Sequence, residues 1–161
     1  MPTGFMLDTN TFNRVLDGEV PTDAVRRCGE LYVTAVQRHE LASTKDEARR
    51  AELLAVFRSV PAVEKPIQTA AWGGHSSWGG GQQWGQSGPH YSDVKEAIES
   101  LGGKPSRSRG RFGDAPIAEV CLANGFTLVT DDGPLRAVFT EKFAGHALSF
   151  DEMLACHREV P

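Results

Sequence analysis

Short apolar segments that alternate with helical patterns are the feature that most constrains this chain. Residues 4–7 are small or apolar and stop at Asp8, and apolar residues recur at helical spacing from Phe12 onward. A second apolar segment at 126–129 is followed by two acids at 131–132 and then by another helical pattern. Strands that alternate with helices form parallel sheets. The sequence therefore predicts the α/β class, with a central and mainly parallel sheet.

The remaining elements follow from the same periodicities and from turn residues. Segments rich in β-formers predict strands, whereas amphipathic segments bounded by caps, glycine or proline predict helices. Proline beside a strand favours the edge of the sheet, where an amide need not donate to a neighbouring strand. We expect strands at 31–36 and, at the edge, 62–67. We expect one or two helices within 37–60 and further helices at 22–28, 92–101, 115–124 and 134–143, with a short tail around 148–154.

Composition is that of one soluble globular domain spanning residues 1–161. Hydrophobic residues make up 40% and charged residues 24% of the chain. The net charge of −4 argues against coating nucleic acid by bulk charge, although it leaves room for a metal-dependent nuclease. No apolar stretch approaches the roughly 20 residues of a membrane span, and the three cysteines lack disulfide-framework spacing. We expect a cytoplasmic protein with no membrane contact.

A Trp/Gly-rich segment at about 72–90 differs from the rest of the chain. Trp72, Trp78 and Trp84 recur every six residues, and each is followed by glycine. Such low complexity is typical of an inserted loop. The tryptophans could stack on unpaired bases or bind a partner, but a loop without catalytic duty is the favoured interpretation.

Acidic residues follow several of the predicted elements. Ligands of open parallel sheets bind beyond the carboxyl ends of the strands, so Asp8 and Asp131 or Asp132 should be close together. Asp114 opens a helix predicted to cover the same sheet, and Glu40 lies just beyond the second strand. Carboxylates this close repel one another, and a divalent cation would relieve the repulsion. The sequence therefore predicts an acidic cation site.

The expected cation is Mg²⁺ or Mn²⁺ rather than zinc. All the candidate ligands are hard oxygen donors, and the sequence has no Cys or His pair at zinc-site spacing. Sites of this kind usually act on phosphates. The corresponding chemistry is hydrolysis of a phosphodiester, in which the cations activate a water molecule and stabilise the charge that develops on the phosphate.

Four ordered motifs resemble those of the PIN-domain ribonucleases, and within that family the VapC-type toxins of bacterial toxin–antitoxin pairs. The motifs are weak singly but fairly specific in this order, and the resemblance covers nearly the whole chain. They are Met6-Leu7-Asp8-Thr9-Asn10, Tyr32-Val33-Thr34-Ala35-Val36 continuing to His39-Glu40-Leu41, Gly113-Asp114-Ala115-Pro116-Ile117-Ala118, and Leu128-Val129-Thr130-Asp131-Asp132. The Trp/Gly-rich segment and Leu135, where an aromatic residue is common, depart from the pattern.

The resemblance implies a fold, a site and partners. The implied fold is a three-layer α/β/α sandwich, and the implied activity is endonucleolytic cleavage of single-stranded or structured RNA with Mg²⁺ or Mn²⁺. A homodimer and a small antitoxin that inserts a peptide near the acidic cleft are implied as well. The catalytic and metal-binding residues would be Asp8, Glu40, Asp114 and Asp132, with Asn10 and Thr130 orienting them and Asp131 as an alternative fourth acid.

A basic stretch lies next to the third acidic motif. Arg107, Arg109 and Arg111 could hold RNA phosphates, because arginine makes bidentate phosphate contacts. A solvated basic loop without that role explains the stretch equally well.

Two other functions compete with the nuclease. One is a haloacid-dehalogenase-type phosphatase, whose nucleophilic aspartate also follows an apolar strand, as Asp8 does. That family has a second acid where this chain has Asn10, and Thr or Val where it has Phe12, which argues against this function. The other competitor is a catalytically idle module that keeps the fold and binds RNA or protein through the Trp/Gly-rich segment. This module would have no divalent-cation site.

Overall fold

A computed structural model describes residues 4–18, 20–67, 91–100 and 111–156. The Trp/Gly-rich segment, Arg107 and Arg109 therefore lie outside the described residues, and the single-domain prediction for 1–161 stays a prediction. The strands are β1 (Phe5–Leu7), β2 (Leu31–Thr34), β3 (Ala62–Lys65), β4 (Thr127–Val129) and β5 (His146–Leu148). The helices are α1 (Thr9–Leu16), α2 (Thr22–Arg26), α3 (Ala35–Ala42), α4 (Glu47–Ser59), α5 (Tyr91–Ser100), α6 (Arg111–Asn124), α7 (Gly133–Phe143) and α8 (Phe150–Cys156).

The sheet is entirely parallel, in the order β3-β2-β1-β4-β5. The chain builds outward from β1 to β3 on one side and then returns to add β4 and β5 on the other. The direction of winding thus reverses between β1 and β4, where Leu7 pairs with Val129. Such a reversal opens a crevice at the carboxyl ends of the two central strands. Asp8 and Thr130 are the first residues beyond those ends.

Side-chain alternation along the strands divides the core between the two faces of the sheet. Met6 and Leu128 pack on one face, against α5, α6 and α7. Their neighbours Leu7 and Val129 pack on the other, against α1, α2, α4 and α8. Successive residues of a strand point to opposite faces, so each apolar strand supplies both halves of the core. The predicted three-layer α/β/α sandwich is confirmed.

The second strand is two residues shorter than the predicted 31–36. It ends at Thr34, whose side chain accepts a hydrogen bond from the amide of Val36. The Gln37 side chain reaches back to the Thr34 amide at 2.8 Å, which completes a capping box. These two hydrogen bonds satisfy backbone amides at the start of the helix and outweigh the β-propensity of Ala35-Val36. Helix α3 therefore begins directly after the carboxyl end of β2.

The start of α6 and the C-terminal tail also differ from the sequence prediction, and β3 ends at Lys65 instead of residue 67. Helix α6 begins at Arg111, so Asp114 is within the helix instead of preceding it, and Pro116 lies in its interior. The segment predicted as a tail contains β5 and α8. Three half-exposed residues such as His146–Leu148 have too little periodicity to identify a strand, and pairing with β4 is what forms it. None of the helices that the structure describes is long and apolar enough to cross a bilayer.

Candidate acidic active site

Asp8 lies at the crevice between the two central strands. It follows β1 as the N-cap of α1, and only 7% of it is exposed. One carboxylate oxygen, Oδ1, accepts from the Thr9 amide at 2.6 Å. The other oxygen, Oδ2, accepts from the Thr130 hydroxyl at 2.7 Å and from the Asn10 amide group at 3.1 Å. Neutral donors therefore hold this carboxylate from three sides.

Burial disfavours the charged form of Asp8. Desolvation raises the pKa of this carboxyl above its ordinary value, although the hydrogen bonds from Thr130 and Thr9 oppose the rise. The negative charges of Asp132 and Asp131 raise it further, with Asp132 the larger contributor. Asp8 is thus a poorly compensated negative charge close to other acids, and a cation would be favourable there.

Glu40 is joined to the first motif through Thr9. Glu40 lies on α3, and its Oε2 atom accepts a hydrogen bond from the Thr9 hydroxyl. Burial, followed by the charge of Asp8, raises the pKa of the Glu40 carboxyl from 4.5 to about 7, against the lowering effect of the Thr9 hydrogen bond. Two acids that are 32 residues apart in sequence are therefore electrostatically coupled, with the Thr9 side chain between them.

Helix α6 brings the third acidic motif to Glu40. A Cβ atom built on Gly113 would lie 2.1 Å from Oε1 of Glu40 and 2.9 Å from a methyl carbon of Val36. The glycine backbone therefore lies directly against the Glu40 carboxylate. Asp114, the next residue, is half-buried. The predicted neighbours Asp8, Glu40 and Asp114 thus belong to one end of the sheet.

The fourth motif approaches Asp8 through Thr130. The Thr130 side chain is fully buried, donates to Asp8, and accepts from the Asp132 amide at 3.1 Å. Asp132 caps α7, since its Oδ1 accepts from the Leu135 amide at 2.9 Å. The Asp132 side chain is partly exposed. Its second carboxylate oxygen, Oδ2, takes no part in the cap bond. Thr130 therefore links the Asp8 side chain to the Asp132 backbone.

Asp131 faces a different set of partners. Its Oδ2 accepts from Arg14 at 3.0 Å and its Oδ1 accepts from the Phe150 amide at 3.0 Å. Arg14 also pairs with Asp151 at 3.1 Å, and its guanidinium lies 5.2 Å from the centre of the Phe150 ring. We call Arg14, Asp131, Phe150 and Asp151 the arginine clasp. It ties α1 and α8 to the end of β4.

The donor chemistry of the cleft fits a hard divalent cation. The acids supply oxygen ligands, and Asn10 adds a buried oxygen, Oδ1, that accepts no hydrogen bond within the described part of the chain. Among the residues that the structure describes, no three His, Cys, Asp or Glu side chains are already arranged to bind a cation together. Asp8 and Glu40 are instead turned toward Thr9, Asn10 and Thr130. Cation binding would exchange some of these hydrogen bonds for ligand bonds.

Sequence reasoning did not assign roles to three residues that shape the cleft. Thr9 and Gly113 stand inside the quoted motifs, but spacing alone does not reveal a hydroxyl bridge or a missing Cβ at a helix contact. Arg14 follows Asp8 by six residues, and the pairing of β1 with β4 is what brings it near Asp131. Arg111 is the first residue of α6, so the backbone places it near this cleft.

Comparison with known proteins shows a likeness of fold. No family profile and no curated protein sequence matches this chain. Among solved structures, it is similar to a chain in the crystal structure of VapBC2 from Rickettsia felis bound to a DNA fragment from their promoter. The TM-score is 0.53 at 12% sequence identity, and the match covers 90% of this chain and 97% of the other. This likeness supports a PIN-like sandwich.

Proposed function

We propose that this protein is a metal-dependent endoribonuclease of the PIN type that acts as the toxin of a toxin–antitoxin pair. The observation that carries the proposal is the coupling of Asp8 and Glu40 through Thr9 at the reversal point of a parallel sheet. Buried acids with raised pKa values in a cleft are characteristic of functional sites. A merely structural carboxylate at such burial would be expected to pair with a basic residue.

Two further observations support this assignment. The four motifs that resemble VapC-type toxins occur in the family's order, and the fold brings their backbones to one end of the sheet. The fold is also like that of a chain in a VapBC2 structure.

In this proposal, Asp8, Glu40, Asp114 and Asp132 hold Mg²⁺ or Mn²⁺. The bound cation supplies activation of water and stabilisation of charge on the phosphate and the leaving oxygen. The Thr130 hydroxyl orients Asp8 and fixes the Asp132 backbone. Asn10 donates to Asp8, and Thr9 holds Glu40 beside it. The arginine clasp fixes the end of β4, which carries Thr130 and Asp132.

The proposal extends to partners and location. We propose a homodimer that acts on RNA in the cytoplasm and is inhibited by a cognate antitoxin. Arg107, Arg109 and Arg111 are proposed RNA-phosphate contacts, because they lie three to seven residues before Asp114 and arginine makes bidentate phosphate contacts. Replacing all three with glutamine should weaken RNA binding more at low salt than at high salt.

The experiment that tests the activity is cleavage of a mixed pool of structured RNA by purified protein. Reactions contain Mn²⁺, Mg²⁺ or a chelator, and product ends are sequenced. Asp8→Asn should abolish the cuts, while asparagine still caps α1. Asp23→Asn is the matched control, because Asp23 is exposed on α2 and lies outside every acidic motif.

Each outcome separates the competing functions. Cation-dependent cuts that are lost in Asp8→Asn and kept in Asp23→Asn support the nuclease. Cuts that persist in Asp8→Asn contradict the assigned centre. RNA binding without cleavage, together with no Mn²⁺ binding by calorimetry, favours the idle binding module. Trapping of a phosphorylated Asp8 would instead identify a phosphatase.

A further inference from the structure

Gly113 lies where two helices of the acidic cleft come closest. A Cβ atom at this position would lie 2.1 Å from Oε1 and 2.9 Å from Cδ of Glu40. Real Cβ contacts are essentially never shorter than 3.0 Å. The space that a side chain at 113 would fill is therefore already occupied by the Glu40 carboxylate.

Helix propensity does not explain a glycine here. Gly113 is inside α6, and its backbone is not in the left-handed region that requires glycine. Alanine is more favourable than glycine in a helix. A glycine at a position where alanine would favour the helix is consistent with a steric requirement, and the Glu40 carboxylate supplies one.

Glu40 has little freedom to move away from an added methyl group. Its Oε2 is held by the Thr9 hydroxyl, and its carboxylate is largely buried. A methyl group at 113 would force the side chain to leave Thr9 or force α6 away from α3. If the side chain leaves Thr9, Glu40 loses its position beside Asp8. If α6 moves away from α3, Asp114 moves away from Asp8 and Glu40.

We propose that Gly113 is a positioning residue: the absence of its side chain creates the space that holds the Glu40 carboxylate between Thr9 and α6. The inference rests on the proposed function only where it concerns the cation. It predicts that Gly113→Ala weakens cation binding although alanine favours the helix. Loss of a group that orients a metal ligand typically costs about 10- to 100-fold in metal affinity.

The first test is calorimetric titration of the full chain with Mn²⁺. Gly113→Ala should bind Mn²⁺ at least about tenfold more weakly than wild type. Gly133→Ala is the matched control, because Gly133 also lies in a helix and a Cβ there meets nothing within 4 Å. Its affinity should equal that of wild type. Unchanged affinity in Gly113→Ala would overturn the proposal.

The second test needs no cation and measures melting temperatures in double-mutant cycles. Gly113→Ala should lower the melting temperature of wild type and raise it in a Glu40→Ala background, where the carboxylate no longer occupies the space. A parallel cycle uses Val36→Ala, because a Val36 methyl carbon also lies 2.9 Å from the added Cβ. Coupling to Val36 alone would reduce Gly113 to a packing residue and overturn the proposal.

The two tests also distinguish this inference from the proposed function. If wild type binds no Mn²⁺, the cation centre is wrong, and coupling between positions 113 and 40 still decides whether Gly113 positions Glu40. If Gly113→Ala alone is too unstable to purify, the double variant with Glu40→Ala should fold. Failure of that double variant to fold as well would contradict the inference.

Discussion

Each of the two central strands is followed by an aspartate within two residues, yet these two aspartates have opposite electrostatic environments. After β1, Asp8 is buried, and within the described part of the chain its carboxylate accepts hydrogen bonds from the neutral groups of Thr9, Asn10 and Thr130. After β4, Asp131 is more exposed and forms an ion pair with Arg14. The first acid keeps an uncompensated charge, whereas the second is neutralised by the protein itself.

This difference indicates how the two kinds of acid are used. An acid that is neutralised by arginine stabilises structure and has little affinity left for a cation. An acid surrounded by neutral donors and by other carboxylates has a raised pKa and gains most from a cation. The charge of Asp132 raises the pKa of Asp8 more than the charge of Asp131 does, so Asp132 is electrostatically the nearer neighbour of the cleft.

The largest expected effect separates Asp132 from Asp131. Asp132→Asn should lower RNA cleavage by on the order of 100- to 1,000-fold, the range typical of losing one preorganised electrostatic contact. Its fold should persist, because asparagine also caps a helix. Asp131→Asn should keep most of the activity and lower the melting temperature instead. The reverse order of effects in cleavage rates would assign the fourth acid to Asp131.

The next effect is the pH dependence of stability in the metal-free protein. The pKa of Glu40 is about 7 in the folded chain against an ordinary 4.5, so the folded state binds more protons between these values. Stability therefore falls as pH rises through this window, by up to about 3 kcal/mol, and then levels off. Urea unfolding in chelator measures this slope, and Glu40→Gln should remove the part due to Glu40.

Asp17 provides the control of opposite sign. Arg49 donates to this exposed carboxyl and holds the pKa of Asp17 below its usual range. The contribution of Asp17 to the free energy of unfolding is therefore lost as pH falls, and not as pH rises. Asp17→Asn should leave the slope between pH 5 and about 8 unchanged. An unaltered slope in Glu40→Gln, or an altered one in Asp17→Asn, would contradict the contrast between paired and unpaired acids.

Cation binding should produce a comparable stabilisation. Mn²⁺ at 100 times its dissociation constant should raise the free energy of unfolding by about 2.7 kcal/mol. The shift in melting temperature should be larger at pH 8 than at pH 5.5, because Glu40 must lose its proton before it can bind a cation. A shift of the same size in the Asp8→Asn protein would show that Mn²⁺ binds elsewhere.

The smallest effect concerns the arginine clasp. Arg14→Met breaks the partly buried pair with Asp131 and should lower stability by about 1 kcal/mol, or roughly 2–4 °C in melting temperature. Arg38→Met breaks the more exposed pair with Glu64 and should change the melting temperature less. Equal effects of the two variants would mean that the clasp contributes no more than a surface ion pair.

Local sequence determined the elements and the order of the motifs. Apolar strands followed by acids, caps and helical periodicity identified β1, β4 and most helices, because these signals depend on neighbouring residues only. The same signals placed Asp8 and Thr130 at the carboxyl ends of parallel strands. They extended β2 to Val36, because a capping box outweighs β-propensity only when Gln37 folds back onto Thr34.

Tertiary structure decided what each acid became. Asp131 and Asp132 are adjacent in sequence, and only the docking of α1 and α8 turns the first toward Arg14 while the second caps α7. The bridge from Thr9 to Glu40 and the space left by Gly113 likewise depend on how closely α1, α3 and α6 approach. The burial of each acid, the charges around it and the space for its side chain are set by segments that are distant in sequence. A local sequence pattern therefore does not encode them.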